Sequence, residues 1–256
     1  MAYIQITTKC NMRCRHCCMS CEPGKGEHMP MKVYKEALAW AGNYGGCIFL
    51  GGGEPTLHPR FWEILGRAIA EAEDGVWLAT NGSVTSTALA LAKMAKGGVI
   101  GCALSQDIFH DAIDDVVVQA FSQAGRNDGT DQREIRSVKS VARCDRIDGD
   151  PEFEFDTGFE IKDYCACEGA MIDVNGDIKM CGCLGSPKIG DVWRGVHDDV
   201  VKLALQLNGD NTDTFGYPPC LSDLENFCGR KMSAKDKAKL ESAVRRINRK
   251  GVATNV

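Results

Sequence analysis

Between Tyr3 and Ala142, short apolar runs alternate with segments of helical period, and this alternation constrains the fold more than any other feature. Tyr3–Thr7 reads as a strand, and Lys32–Asn43 as a helix with Val33, Ala37, Trp40 and Ala41 on one face. Cys47–Leu50 reads as a short buried strand. Pro59 suits the first turn of a helix in which Phe61, Leu65, Ala68, Ile69 and Ala72 keep helical period. Val76–Ala79 is a strand, and Thr85–Lys96 a helix stopped by Gly97-Gly98. Val99–Leu104 is a strand, followed by a helix over Ala112–Ala124 that ends at Gly125. Ile135–Ala142 is a strand candidate and Phe153–Ile161 a weaker one. A strand–helix unit recurring about every 30 residues predicts an α/β fold, with a parallel sheet and crossover helices. Five or six such units make an open or partial (β/α)6 barrel, whose ligand sites lie at the C-terminal ends of the strands.

That rule can be tested within the sequence. The Cys10–Cys21 loop follows the first strand, and Gly51-Gly52-Gly53-Glu54-Pro55 follows the second. Thr80-Asn81-Gly82 follows the third, Ser105-Gln106-Asp107 and His110 the fourth, and Arg143 and Asp145 the fifth. The unusual polar and glycine-rich segments therefore fall on one rim. Gly51–Gly53 allows backbone to approach a ligand closely, and Glu54 beside it is suited to a ligand's ammonium group.

The chain holds 14 cysteines in 256 residues, and they cluster: five at 10–21, four at 165–183 and two at 220–228. Cys47, Cys102 and Cys144 stand alone, the first two in apolar runs that read as core. Cys10-x3-Cys14-x2-Cys17 puts three thiols on one short loop. Three thiolates can hold three irons of a four-iron cluster and leave the fourth iron open to chemistry. Zinc takes the same ligands, and disulfides are a third possibility. The N-terminus has no secretory pattern, so a reducing, cytoplasmic setting is expected, in which clustered thiols read as metal sites. A net charge of −5 excludes polyanion binding by bulk charge, and no run of apolar residues is long enough to span a membrane.

Cys10-x3-Cys14-x2-Cys17 after the first strand, with Gly52-Gly53-Glu54-Pro55 after the second, resembles the radical S-adenosylmethionine (radical SAM) superfamily over about residues 3–145. The resemblance implies that Cys10, Cys14 and Cys17 ligate a [4Fe–4S] cluster whose open iron binds the amino and carboxylate groups of SAM. An electron from the reduced cluster would cleave SAM to methionine and a 5′-deoxyadenosyl radical, which abstracts hydrogen from substrate. By position, Gly52, Gly53 and Glu54 would meet the SAM amino group. Asn81 would join the cofactor-binding set, Ser105 would reach the ribose or carboxylate, and Arg143 would pair with the carboxylate. His16 lies where the family usually has an aromatic residue touching adenine, so histidine is a departure. Cys18 and Cys21 form a Cys-x2-Cys pair that could compete as ligands or stand as thiols beside the cluster. An external donor such as a flavodoxin or ferredoxin would supply the electron.

The second cysteine group, Cys165, Cys167, Cys181 and Cys183, brackets Asn175-Gly176, a strong hairpin signal. A two-residue turn would pair Val174 with Asp177, Ala170 with Cys181 and Glu168 with Cys183, gathering four thiols at the hairpin base. Cys165-x10-Gly176-x4-Cys181, with Gly190-Asp191-Val192-Trp193 after it, is similar to the SPASM and Twitch extensions of the same superfamily. That resemblance implies one auxiliary iron–sulfur cluster, with Cys220 and Cys228 as further candidate ligands. A zinc ribbon is the plainer reading of the same pattern. The expected organisation is a barrel over residues 1–160, a cysteine-rich hairpin extension over 161–232, and a basic helix and tail over 233–256.

Ser233 caps that last helix, which carries Lys235, Lys237, Lys239, Arg245, Arg246 and Arg249. It is either a solvated face or a phosphate-contacting patch that would let DNA bind. The expected activity is oxidation, isomerisation or bond formation on a peptide or amino-acid-derived small molecule. Because the chain starts at its first strand, with no leader-binding domain before it, a peptide is the less favoured of these substrates. The alternatives are an amino-acid-bearing nucleobase in DNA, as in phage hypermodification, and a non-catalytic iron–sulfur or zinc scaffold.

Overall fold

The computed structural model describes residues 2–43, 47–122, 130–137, 141–142, 152–159, 161–162, 170–179, 182 and 188–196. Five parallel strands run in chain order: β1 (Ala2–Thr7), β2 (Ile48–Gly52), β3 (Val76–Thr80), β4 (Gly101–Ser105) and β5 (Arg133–Arg136). The crossovers contain α1 (Met31–Asn43), α2 (Phe61–Glu71), α3 (Thr85–Lys96) and α4 (Asp115–Ser122). Two-residue strands β6 (Val141–Ala142) and β7 (Ile161–Lys162) pair separately, on either side of α5 (Phe153–Thr157). β8 (Met171–Ile172) adds to the other edge of β1 in parallel. β9 (Asp177–Lys179), β10 (Lys188–Asp191) and β11 (Gly195–Val196) continue antiparallel from it, so one sheet carries nine strands. No helix among the described residues is long and apolar enough to cross a membrane.

Strand alternation assigns the two faces of this sheet. Ile4 and Ile6, Ile48 and Leu50, Val76 and Leu78 are buried in one core with Tyr34, Leu38, Ile64, Leu65 and Leu91 of the helices. Each large side chain buried this way contributes about 1.5–3 kcal/mol. The Tyr34 hydroxyl donates to the Ile64 carbonyl at 2.8 Å, tying α1 to α2 through a bond shielded from water. Cys102 is fully buried here, as its apolar run suggests, whereas Cys47 is only half-buried.

Three sequence expectations need correction. Phe153–Thr157 is helical rather than extended: the Thr157 hydroxyl and the Asp156 amide bond back to the Phe153 and Glu152 carbonyls, while Phe153 is buried against Phe109. The Ile135–Ala142 strand is two strands, β5 ending at Arg136 and β6 starting at Val141. The Asn175-Gly176 hairpin does not pair Val174 with Asp177. Met171 faces Lys179 and Ile172 faces Ile178, so the turn takes in Val174, Asn175 and Gly176. Gly176 lies in the left-handed region at φ 84°, and its amide bonds the Asp173 carbonyl at 2.9 Å. An extra residue with glycine in that conformation is the three-residue hairpin loop rather than the two-residue one. Arg143, Cys165, Cys167, Cys181, Cys183, Cys220, Cys228 and the basic C-terminal helix lie outside the described residues.

Candidate active site

A cavity of about 280 Å³ opens at the C-terminal ends of β1–β5. Its floor is a row across three strands, in which Tyr3 pairs with Phe49 and Phe49 with Trp77, the last two rings stacked at 6.4 Å. One layer further along the strands the side chains shrink to Gly51 and Ala79, and that step leaves the hollow. Gly51 must be small, because a Cβ there would lie 2.0 Å from the Tyr3 phenol oxygen.

The Cys10–Cys21 loop leaves β1 and returns through a short neck. There Thr8 N–H donates to the Glu27 carbonyl at 2.9 Å and Met29 N–H to the Ile6 carbonyl at 2.8 Å. The Thr7 hydroxyl donates to the Glu27 carbonyl at 3.0 Å and lies 2.9 Å from His28 Nδ1. Cys10, Cys14, Cys17, Cys18 and Cys21 all line the cavity. The loop carries the three-cysteine spacing twice, as Cys10/Cys14/Cys17 and, four residues on, as Cys14/Cys18/Cys21.

Contacts with the neighbouring loops distinguish these registers. Met12 N–H donates to Cys10 Sγ at 3.4 Å, and Asn81 Nδ2–H points to the same sulfur at 4.0 Å. Asn81 Nδ2–H also donates to Asn11 Oδ1 at 3.0 Å, linking the β3 loop to the cysteine loop. Cys21 Sγ instead donates to the Met19 carbonyl at 3.6 Å, and Cys18 is exposed. Both donors thus meet Cys10, which the first register contains and the second does not.

All seven described cysteines are thiols, which removes the disulfide reading for this loop. Zinc fits no better. Among the described residues, the one group of three metal-ligating side chains with donor atoms within 4.8 Å of one another is His16, Asp107 and His110. The loop thiols are not drawn to the spacing of a single tetrahedral ion, whereas a four-iron cluster needs its ligands apart. Burial, then the neighbouring Cys17 and Cys10, push the Cys14 thiol up to about 12. Burial likewise raises Cys10, against the Met12 amide. Three gathered thiolates at such a site call for a compensating cation.

The Gly-Gly-Glu turn is built around this loop. Gly53 N–H donates to the Thr7 carbonyl at 2.9 Å and Glu54 N–H to the Lys9 carbonyl at 2.8 Å, carrying strand-like pairing up to Cys10. Gly52 has φ 139°, and a Cβ on it would sit 1.9 Å from the Thr7 carbonyl oxygen. These glycines therefore serve the approach of two backbones.

Glu54 is 1% exposed and turned largely into the protein. Its Oε1 accepts from Thr56 Oγ1 at 2.6 Å, Thr80 Oγ1 at 2.8 Å and Thr56 N at 3.2 Å, and its Oε2 accepts from Asn81 N at 2.7 Å. Burial raises its pKa against those bonds. Four hydrogen bonds join the β2 and β3 loops through one carboxylate, while Oε2 keeps capacity for another donor.

His16 and Ser105 also line the cavity. The His16 ring lies 4.5 Å from Phe109 and 5.5 Å from His110, with Nε2 3.6 Å from Asp107 Oδ2. His110 Nδ1 is 2.8 Å from Asp107 Oδ1, which also accepts from Phe109 N at 2.9 Å. Burial opposes the Asp107 charge, but Phe109 N–H and His110 hold its carboxyl below the usual range. Burial lowers His16, against Asp107. Phe109 packs on Phe153 at 5.5 Å, and Arg15 meets Asp156 at 2.9 Å, so α5 braces the cysteine loop.

Arg136 lines the cavity and was not among the sequence candidates. Its signal was present in the rim rule, but the misplaced end of β5 moved that rule seven residues on, to Arg143. Asp107 and His110 were placed on the rim, yet nothing in their spacing announces that both imidazoles meet one carboxylate.

A "Tungsten-containing aldehyde ferredoxin oxidoreductase cofactor-modifying protein" of Pyrococcus furiosus is 29% identical over 113 residues, 43% of this chain and 31% of that protein. The chain thus matches less than a third of that curated relative's length. Among solved structures, BtrN with AdoMet and 2-DOIA covers 75% of this chain and 78% of its own, at TM-score 0.49 and 15% identity. A structure of anSMEcpe with AdoMet and a peptide covers 96% and 99%, at TM-score 0.47 and 13% identity. Residues 4–139 match the Radical SAM superfamily. That match begins inside β1 and ends just past β5, taking in each loop that faces the cavity, and this chain therefore belongs to the radical SAM superfamily of enzymes, which use a [4Fe–4S] cluster and S-adenosylmethionine.

Proposed function

We propose that this enzyme forms a substrate radical in the rim cavity and acts on a peptide or an amino-acid-derived small molecule. The observation that carries the reading is the convergence of Cys10, Cys14 and Cys17 with Gly52-Gly53-Glu54 on one cavity. When bound, the cluster and SAM supply a 5′-deoxyadenosyl radical strong enough to remove hydrogen from an unactivated carbon. Cys10, Cys14 and Cys17 would each hold one iron. Asn81 and the Met12 amide would steady Cys10 by donating toward its sulfur.

Glu54 Oε2 and the neighbouring Gly52-Gly53 backbone would receive the SAM ammonium. Arg136 would take the carboxylate-pairing role expected of Arg143, since it lines the cavity and, among the described residues, its guanidinium pairs with Glu134 at 2.8 Å. His16 would offer its ring to adenine, and Ser105 its hydroxyl to the ribose. The Tyr3–Phe49–Trp77 floor excludes water from the reacting carbon.

The second cysteine group is proposed to hold an auxiliary iron–sulfur cluster through Cys165, Cys167, Cys181 and Cys183, with Cys220 and Cys228 as further candidates, in an extension spanning 161–232. A flavodoxin- or ferredoxin-type donor in the cytoplasm would reduce the active-site cluster. The name of the Pyrococcus furiosus relative, a cofactor-modifying protein, supports a modifying reaction on a small organic molecule.

The test is anaerobic reconstitution with iron and sulfide, reduction in the presence of SAM, and mass spectrometry for 5′-deoxyadenosine. The wild-type protein is expected to form it. Cys14→Ala is expected to lose both the product and the iron of one four-iron cluster, and to keep the iron of the second site. A reconstituted protein that neither cleaves SAM nor changes its electron paramagnetic resonance signal on adding SAM would overturn the reading.

A further inference from the structure

The outer side of the loop between β1 and α1 carries charge of the opposite sign to the chain as a whole. The loop holds Lys9, Arg13, Arg15 and Lys25 against Glu22 and Glu27, in a chain whose net charge is −5. Lys9 directly precedes Cys10, and Arg13 directly precedes Cys14. Cys14 is buried whereas Lys9 and Arg13 are exposed, so the loop turns its thiols inward and its cations outward.

One carboxylate organises two of these cations. Glu22 accepts from Arg13 Nε at 3.3 Å and from Lys25 Nζ at 2.5 Å. Its side chain is 20% exposed, against 74% for Arg13 and 77% for Lys25. Glu22 thus sits low and holds both cations at the surface while neutralising only one of them. Gly24 at φ 76° and the Lys25 amide, 3.4 Å from the Glu22 carbonyl, form the turn that returns Lys25 toward Arg13. The chain then runs against the residue before Lys9, since a Cβ on Gly26 would lie 2.7 Å from the Thr8 carbonyl. Arg15 pairs with Asp156 instead. Exposed ion pairs add little to stability, so fixing these cations serves recognition better than folding.

We infer that Lys9, Arg13 and Lys25 form the docking surface for an acidic one-electron carrier protein that reduces the active-site cluster. This deepens the function proposed above, which it rests on, by naming where the electron donor binds. A carrier seated there is separated from Cys10 and Cys14 by the loop backbone. In the transfer the carrier loses one electron and the cluster gains one, with no bond formed or broken. Complementary charge speeds such encounters at low salt, and a small contact lets the spent carrier leave.

The experiment mixes the reconstituted full chain with flavodoxin hydroquinone, an acidic carrier, and follows cluster reduction by rapid-freeze electron paramagnetic resonance. The wild-type rate is expected to fall as salt rises. The double variant Arg13→Gln, Lys25→Gln is expected to be slower by about tenfold at low salt and to converge with the wild type at high salt. Lys93→Gln, on α3, keeps the wild-type rate. Photoreduced 5-deazariboflavin, an uncharged reductant, reduces all three proteins equally. A second readout needs no cluster: carbodiimide, which couples amines to carboxylates, is expected to link Lys9 or Lys25 of the iron-free chain to flavodoxin, as mapped by mass spectrometry. An unchanged flavodoxin rate in the double variant, an equal loss in Lys93→Gln, or cross-links confined to other lysines overturns the docking surface. A parallel loss with 5-deazariboflavin also overturns it, because the cations would then act on the cluster itself. A double variant that keeps its flavodoxin rate but loses affinity for a short DNA duplex assigns the surface to nucleic acid instead. A wild-type protein that forms no 5′-deoxyadenosine with either reductant overturns the proposed function itself.

Discussion

The same three strands present two unlike faces. On one, Ile4, Ile6, Ile48, Leu50, Val76 and Leu78 fill a close-packed aliphatic core. On the other, Tyr3, Phe49 and Trp77 are followed by Gly51 and Ala79, a step from large to small that leaves space. Strand parity alone separates them. The core face is specified by volume, whereas the cavity face is specified by which side chains are missing. A single residue's sensitivity should therefore depend on which face it serves.

The largest contrast is expected between two glycines. Gly52→Ala places a Cβ 1.9 Å from the Thr7 carbonyl at a φ that side chains avoid, so the turn must leave β1 and take its support from Cys10. Backbone strain of this kind costs about 3 kcal/mol. Iron counting should show the active-site cluster lost. Gly66→Ala, inside α2 with nothing within 4 Å of the new Cβ, should instead raise stability by about 1 kcal/mol and leave iron unchanged. Equal outcomes for the two would erase the distinction.

The core face gives the next effect. Ile4→Ala removes a fully buried side chain and should destabilise by about 2–5 kcal/mol in denaturant titration. The protein that remains folded should still take up its cluster, since the neck and the Gly-Gly-Glu turn are untouched. A loss of iron larger than the loss of folded protein would show that the faces are coupled.

The smallest effect is with pH. Burial, followed by His58 and Lys9, lowers His28, and burial, then Arg60 against the Met29 carbonyl, lowers His58. Their rings pack at 5.0 Å beside the loop neck. A histidine depressed in the folded state binds its proton more readily when unfolded, so its contribution is present above the ordinary value of 6.5 and is lost as pH falls below it. Melting temperature should drop by about 2 °C between pH 7 and pH 5.5, and His58→Gln should flatten that slope. An unchanged slope would place the sensitivity elsewhere.

The parts most legible in sequence were those with a short-range cause. Thr85–Lys96 matches its helix end to end because Gly97-Gly98 stops it locally. The three-cysteine loop and the Gly-Gly-Glu turn are likewise contiguous, and the rim rule brought them together correctly. What was missed depends on distant partners. Phe153 and Phe155 alternate as a strand would, but burial of Phe153 against Phe109 favours a helical turn. The inward hold on Glu54 depends on Thr80 and Asn81, 26 and 27 residues away, which no local pattern reports. Arg136 escaped because one misplaced strand end displaced the residue that the rim rule selects.

The neck of the cysteine loop has a consequence for how the enzyme matures. Thr8, Glu27 and Met29 close the loop with protein hydrogen bonds, leaving nothing for iron to close. Folding and cofactor loading are then separable events. The iron-free chain should keep slow amide exchange at the neck and through β1 while amides between Cys10 and Cys21 exchange freely, and cluster insertion should quiet only that segment. A loop of this kind can receive its metal after the sheet has folded, without the barrel having to open.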